Sequence, residues 1–266
     1  MSILGNPIIV GLNPAKMLPI FSYSGSYKFD YDKLSNGTYN WELAFLSGSG
    51  TNLNFSRVID KIDIFIVGSG ANGGHGSSNP NYQYYAIGGK GGNGGEIKTL
   101  SNITIATNTN YPVTIGSAGN TTSITIGGTT YSCSSGAGKV GGDGAIVYGN
   151  ASIATVGQNG QNGEYAFGSS NTKLFTGYRY GASGGGGGAR NAQYYVIRGY
   201  GTGGKGPISG SGGAGNGGVY NKGGGNATDN SGAGGGGGGY DQENYNDYDG
   251  GIGGSGIIII RNHRSS

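Results

Sequence analysis

Gly68-Ser-Gly70-Ala-Asn-Gly73 follows the apolar run Ile62–Val67 and has the spacing of a dinucleotide-binding turn. That chemistry needs a helix next, because the first amides of the helix hold the pyrophosphate. The following residues, Gly74-His75-Gly76-Ser77-Ser78-Asn79-Pro80, do not spell a helix. With 64 glycines in 266 residues, the spacing is expected by chance. Gly199–Gly206 imitates a phosphate loop, but Lys205 is followed by Gly206 rather than Ser or Thr. No buried strand precedes it. His75 sits in a glycine turn, and His263 falls in what reads as a frayed C-terminus. The acidic stretch Tyr240–Asp249 offers oxygen ligands without the spacing of a calcium loop, so a solvated loop is expected. Cys133, the single cysteine, reads as a small buried hydrophobe. The residues therefore point to no enzyme, no cofactor and no metal.

Recognition chemistry is better represented. Tyr165, Tyr178, Tyr180, Tyr194, Tyr195, Tyr200, Tyr220, Tyr240, Tyr245 and Tyr248 all follow residue 164, with Arg179, Arg190 and Arg198 among them. Tyrosine offers a large rigid face and a polar tip at low entropic cost, and it stacks on sugars. Any one of these rings could merely pack on the scaffold. As a set, Tyr165, Tyr178, Arg179, Tyr180, Tyr194, Tyr195, Arg198, Tyr200, Tyr240, Tyr245 and Tyr248 are the candidate receptor-binding residues.

Something rigid must position these loops, and glycine spacing supplies it. Gly136–Gly256 holds 43 of the glycines. Gly157/Gly160/Gly163, Gly181/Gly184/Gly187 and Gly250/Gly253/Gly256 keep a three-residue step, the turn of a polyproline-II-type helix. Such a helix makes no internal hydrogen bonds, so its amides need neighbours. Glycine is costly to order, so the bundle needs a conventional core around it. A Gly-Gly-x tract such as 88–95 carries one ridge of side chains and belongs at the periphery. Gly184–Gly188 and Gly234–Gly239 have no ridge and suit the centre. Six prolines and no long strict register exclude collagen.

The core comes from period-two strands. They are Phe21–Tyr23, Tyr27–Tyr31, Tyr39–Phe45, Leu53–Phe55, Ile62–Val67, Glu96–Leu100, Ile103–Ile105, Tyr111–Ile115, Thr122–Ile126 and Thr129–Cys133. Gly127-Gly128 reads as a two-residue hairpin turn. Ile257–Ile260 reads as a buried strand returning beside Ile62–Val67. The expected fold is all-β: an antiparallel β-sandwich, jelly-roll-like, with an inserted bundle of polyglycine-II helices and long surface loops. The expected division is an N-terminal arm (1–20), a sandwich (21–135), the glycine bundle with its tyrosine loops (136–256), and a closing strand and tail (257–266).

Net charge is +3 and thinly spread, which gives no electrostatic case for nucleic acid. No apolar run approaches the length of a membrane span, and the start does not read as a signal peptide. The arm is apolar and broken by Pro7, Pro14 and Pro19. Its residues Pro7, Ile8, Ile9, Val10 and Leu12 are the candidates for docking onto another surface.

The order Phe21-Ser-Tyr-Ser-Gly-Ser-Tyr27, Trp41–Leu46, Ile62–Gly68, Tyr111–Gly116, glycine blocks and Gly250-Gly-Ile-Gly-Gly-Ser-Gly-Ile-Ile-Ile-Ile-Arg261 resembles the glycine-rich domain of bacteriophage tail and fibre proteins. The glycine portion resembles the polyglycine-II adhesins that cap T-even-type long tail fibres, although the N-terminal half shares no motif with them. The resemblance implies an extracellular virion component. It would bind a bacterial cell-surface receptor, glycan or protein, and meet other tail proteins through its N-terminal arm. A homotrimer is possible by the same resemblance. Two alternatives stay open. One is a structural or decoration protein whose bundle is a spacer. The other is a disordered Gly/Tyr-rich RNA-binding chain, which would need Arg-Gly-Gly repeats.

Overall fold

The computed structural model describes residues 17–57, 61–78, 85–147, 154–168, 178–191, 196–201 and 213–264. It is all-β, with one 3-10 turn at Ala166–Gly168 and no α-helix among the described residues. The strands are β1 (Ile20–Tyr23), β2 (Tyr27–Lys33), β3 (Tyr39–Phe45), β4 (Thr51–Arg57), β5 (Lys61–Val67), β6 (Ser77–Ser78) and β7 (Ala86–Ile87). Next come β8 (Ile97–Thr104), β9 (Asn110–Thr114), β10 (Thr122–Ile126), β11 (Thr129–Cys133), β12 (Ile146–Val147) and β13 (Ala154–Thr155). The chain continues with β14 (Glu164–Tyr165), β15 (Arg179–Tyr180), β16 (Ala189–Asn191), β17 (Val196–Arg198), β18 (Tyr240–Asp241), β19 (Asn246–Asp247) and β20 (Ile257–Asn262).

Two five-stranded antiparallel sheets hold the main core, in the orders β1-β4-β9-β10-β11 and β2-β3-β20-β5-β8. One cluster draws on both: Trp41, Leu43, Ile64 and Ile260 from one sheet, Phe55 and Val113 from the other. This strand order does not establish the jelly-roll connectivity expected from the sequence. The hairpins β2–β3 and β10–β11 stay within one sheet.

β5 is apolar nearly throughout because both its faces are covered. Ile62, Ile64 and Ile66 face the shared core. Phe65 and Val67 join a second cluster with Ile257, Ile259, Ala166 and Tyr180. β20 pairs with β5 in unbroken register from Ile257–Val67 to Asn262–Ile62, so the closing isoleucines sit where the sequence places them. Gly127 and Gly128 have φ of 57° and 79°, the left-handed pair that a tight hairpin turn requires. The stretches read as separate strands at 96–100 and 103–105 are one strand, β8. It bends where Asn102 takes φ 62° and the pairing with β5 slips.

The glycine tracts are extended but belong to none of these ladders. Residues 234–239 show their order. The amides of Gly234 and Gly237 donate to Ala182 and Gly185; those of Gly235 and Gly238 donate to Ala71 and Gly74; those of Gly236 and Gly239 donate to Gly225 and Lys222. Each neighbour is met again after three residues. The carbonyls rotate likewise. Gly235 and Gly238 accept from Gly92 and Gly89, Gly234 and Gly237 from Gly215 and Gly218, and Gly236 and Gly239 from Gly251 and Tyr248. The tract 234–239 is thus ringed by six segments, with every backbone polar group paired. Residues 181–188 are a second hub, bonded to 88–95, 142–145, 158–161, 201, 215–218 and 231–237. The two tracts without a side-chain ridge are central, as the sequence suggests. Tract 88–95 is peripheral, with Lys90 exposed and its glycines buried. The array also takes in 68–76 and 88–95, so it reaches outside the 136–256 stretch.

Candidate functional site

The tracts carry the chain away from the two large sheets and back. Gly68–Gly76 alone separates the end of β5 from the start of β6. At the far end lie two small sheets, β13-β12-β7-β6 and β17-β16-β18-β19. They close over a cluster of Ala86, Ala145, Val147, Ala189 and Tyr240.

The second small sheet carries the most exposed aromatic of the described residues. Tyr245 is 81% exposed at the turn between β18 and β19, with φ 51°. Asp241 builds that turn. Its buried carboxylate accepts from the Glu243 amide (3.1 Å) and from Asn244 Nδ2 (2.9 Å). Arg190 closes the loop from β16 through Asp241 (3.9 Å) and Glu243, and its guanidinium lies 5.3 Å from the Tyr220 ring centroid. The acidic loop is therefore not simply solvated: Asp241 is buried and Arg190 sits against two of its carboxylates. On β17, Ile197 is half exposed between Val196 and Arg198, and the exposed Tyr200 follows. Arg198 is partly buried, as is Tyr248 beside the sheet. Fixed backbone beneath exposed apolar and aromatic side chains means little entropy remains to be lost on contact.

The structure divides the sequence candidates. Arg198, Tyr200, Tyr240, Tyr245 and Tyr248 belong to the far end. Tyr165, Tyr178, Arg179 and Tyr180 lie at the near end, by β5. Two assignments are corrected. Tyr180 is 2% exposed and packs 5.7 Å from Phe65, because β15 covers the outer face of the β5 sheet. Tyr240 is 4% exposed, because it seals the cluster between the small sheets. Neither offers a face to a partner. Burial also pushes the Tyr180 phenol well above its ordinary value. Arg179 covers the Tyr165 ring at 4.5 Å, and Tyr178 stays exposed beside them. Tyr194, Tyr195 and the arm residues Pro7, Ile8, Ile9, Val10 and Leu12 lie outside the described residues.

Sequence reasoning missed a charged constellation at the other end of β20. Arg261 stands in register between Glu42 on β3 and Asp63 on β5. Arg261 Nε donates to Asp63 at 3.1 Å, His263 Nδ1 meets Asp63 at 2.7 Å, and Arg264 donates to Glu42 at 3.2 Å. His263 is therefore pinned rather than frayed. Burial alone would raise the Asp63 pKa. Hydrogen bonds from His263, Ser101, the Asn102 amide and Arg261 outweigh it and hold the carboxyl down at about 2. Ser101 Oγ also bonds to Asp63, at 2.7 Å. A nucleophilic triad needs the imidazole between serine and carboxylate. Here the carboxylate lies between, so His263 does not hold the serine proton. A signal was present: Glu42 and Asp63 interrupt apolar strand runs, and a buried carboxylate needs a cation. Burial pushes the Cys133 thiol up to about 12, which keeps it unreactive at neutral pH. No helix among the described residues is long and apolar enough to cross a membrane.

The family model of a glycine-rich domain matches residues 47–263. No curated protein matches the chain.

Proposed function

We propose, from the premise that this chain belongs to the glycine-rich domain family, that it is a non-catalytic receptor-binding adhesin of a bacteriophage tail fibre or tip. On this reading the paired sheets are a jelly-roll-like sandwich, and the tracts are a polyglycine-II bundle inserted into it. The far end of the bundle grips a bacterial cell-surface glycan or protein. The apolar arm with Pro7, Ile8, Ile9, Val10 and Leu12 joins the virion, and three copies assemble at the fibre tip. One observation carries the reading. Tyr245, Ile197 and Tyr200 are exposed on or beside one small sheet, at the end of a bundle whose backbone groups bond to one another. Large exposed aromatic and apolar side chains on a rigid support are the usual hot-spot chemistry of recognition.

The test is binding of the full chain to cell-wall fractions from susceptible and resistant bacteria. Saturable binding to susceptible cells, lost in a Tyr245→Ala, Tyr200→Ala double variant with an unchanged melting temperature, supports the reading. Equal binding by the double variant would leave the bundle as a spacer. That is the alternative favoured by the burial of Tyr180 and Tyr240. Sedimentation velocity tests the trimer.

A further inference from the structure

A groove of about 460 Å³ opens where β20 ends, lined by Thr99, Ser101, Phe167, Arg261, His263 and Arg264 over the buried Asp63. Its charges are sorted by depth. The carboxylates lie at the bottom, with side chains 2% (Asp63) and 0% (Glu42) exposed. Their partners reach the surface, at 15% for Arg261, 25% for Arg264 and 30% for His263. The guanidiniums thus lie nearer the surface than the carboxylates they pair with, so a ligand meets their N–H donors first. Asp63 accepts hydrogen bonds from Ser101 Oγ, the Asn102 amide and Arg261 Nε, and meets His263 Nδ1.

Two further observations favour a built site. Phe167 adopts φ 53°, a conformation rare for a bulky side chain, and its ring lies 4.0 Å from the Arg261 guanidinium. Strain of this kind collects at ligand clamps, and the ring holds the Arg261 plane in place. Arg264 Nε is enclosed without a partner among the described residues, as are those of Arg57, Arg190 and Arg198, so the exposed quarter of the Arg264 side chain is the part that faces a ligand. A planar guanidinium fork suits a carboxylate or phosphate better than any neutral group.

We infer that this groove binds a small oxyanion, either a carboxylated sugar or a phosphate group. The site is separate from the far-end surface and does not depend on the adhesin reading. The ligand's acidic group lies against Arg261, Arg264 and His263, with Ser101 and Thr99 at the rim and Phe167 as the apolar wall.

The test is isothermal titration of the full chain at low salt with glucuronate, glycerol phosphate and glucose. Binding by glucuronate or glycerol phosphate, and not by glucose, is expected, and which acid binds more tightly identifies the source. Affinity should fall as salt is added. Thr99→Glu places a carboxylate at the exposed rim and leaves the Asp63 and Glu42 pairs untouched. It should weaken the acid by about tenfold or more with no loss of melting temperature. Far-end variants such as Tyr245→Ala should bind the acid normally. Equal binding of glucose, binding of neither acid at millimolar concentration, or an unchanged affinity in Thr99→Glu would each overturn the inference.

Discussion

The α-carbon of Gly236 faces the carbonyl oxygen of Asn216 so closely that no side-chain carbon fits between them. Gly224 meets Gly236 in the same way from another side. The glycines of the hub are therefore required by packing against backbone, which cannot swing aside as a side chain can.

Gly236→Ala should destabilise the fold by about 3 kcal/mol or more, because the clash is with a neighbouring main chain on which other bonds depend. At Gly74 the same substitution meets only ordinary contact, 3.5 Å from the Lys90 amide nitrogen. Gly74→Ala should be neutral, or stabilising by about 0.5 kcal/mol through the unfolded chain. Chemical denaturation of both variants measures the contrast; equal effects would contradict the close-packed hub.

Amide hydrogen exchange should be slowest along Gly234–Gly239. All six amides donate to neighbouring segments, and the tract is enclosed. The amide of the exposed Tyr245, at 3.4 Å from its Gln242 acceptor, should exchange much faster. Mass-resolved exchange that finds the tract as fast as the turn would refute the enclosed arrangement.

The buried tyrosines and the exposed one should separate in their effects. Tyr180→Ala and Tyr240→Ala each empty a packed site and should cost about 3–5 kcal/mol. Tyr245→Ala, at 81% exposure, should change stability by less than about 0.5 kcal/mol. Thermal melts decide the first point and cell-surface binding decides the functional one.

Acid should weaken the protein through Asp63. Its folded pKa, about 2, lies below the ordinary carboxyl value. The contribution is therefore complete above about pH 4 and is lost as pH falls toward 2, amounting to about 2 kcal/mol. Asp63→Asn should remove this acid-dependent part while costing about 3 kcal/mol at pH 7, because Arg261 is left uncompensated. Melting temperatures across pH 2–7 for both proteins provide the measurement.

Two features were legible in the residues themselves. Alternation marked most of the long strands, and β3, β10 and β11 begin and end where the pattern says, because side-chain period is a local property. The glycine step and the missing ridge marked 184–188 and 234–239 as central, because a segment without side chains can be approached from every direction. What could not be read was which neighbours those segments have. The bonds of Gly235 to Ala71 and of Gly234 to Ala182 join residues far apart in the chain, and glycine carries no side chain to signal a partner. Spacing put 88–95 at the periphery of the array, whereas 68–76 read only as a turn and joins the array through bonds to distant tracts. Tyrosine was ambiguous for the opposite reason, since one ring suits both a core and a surface. Tertiary packing placed Tyr180 against Phe65 and left Tyr245 in solvent. It alone brought Arg261, His263 and Arg264 over Asp63 and Glu42, since only the pairing of the last strand between β3 and β5 sets those charges side by side.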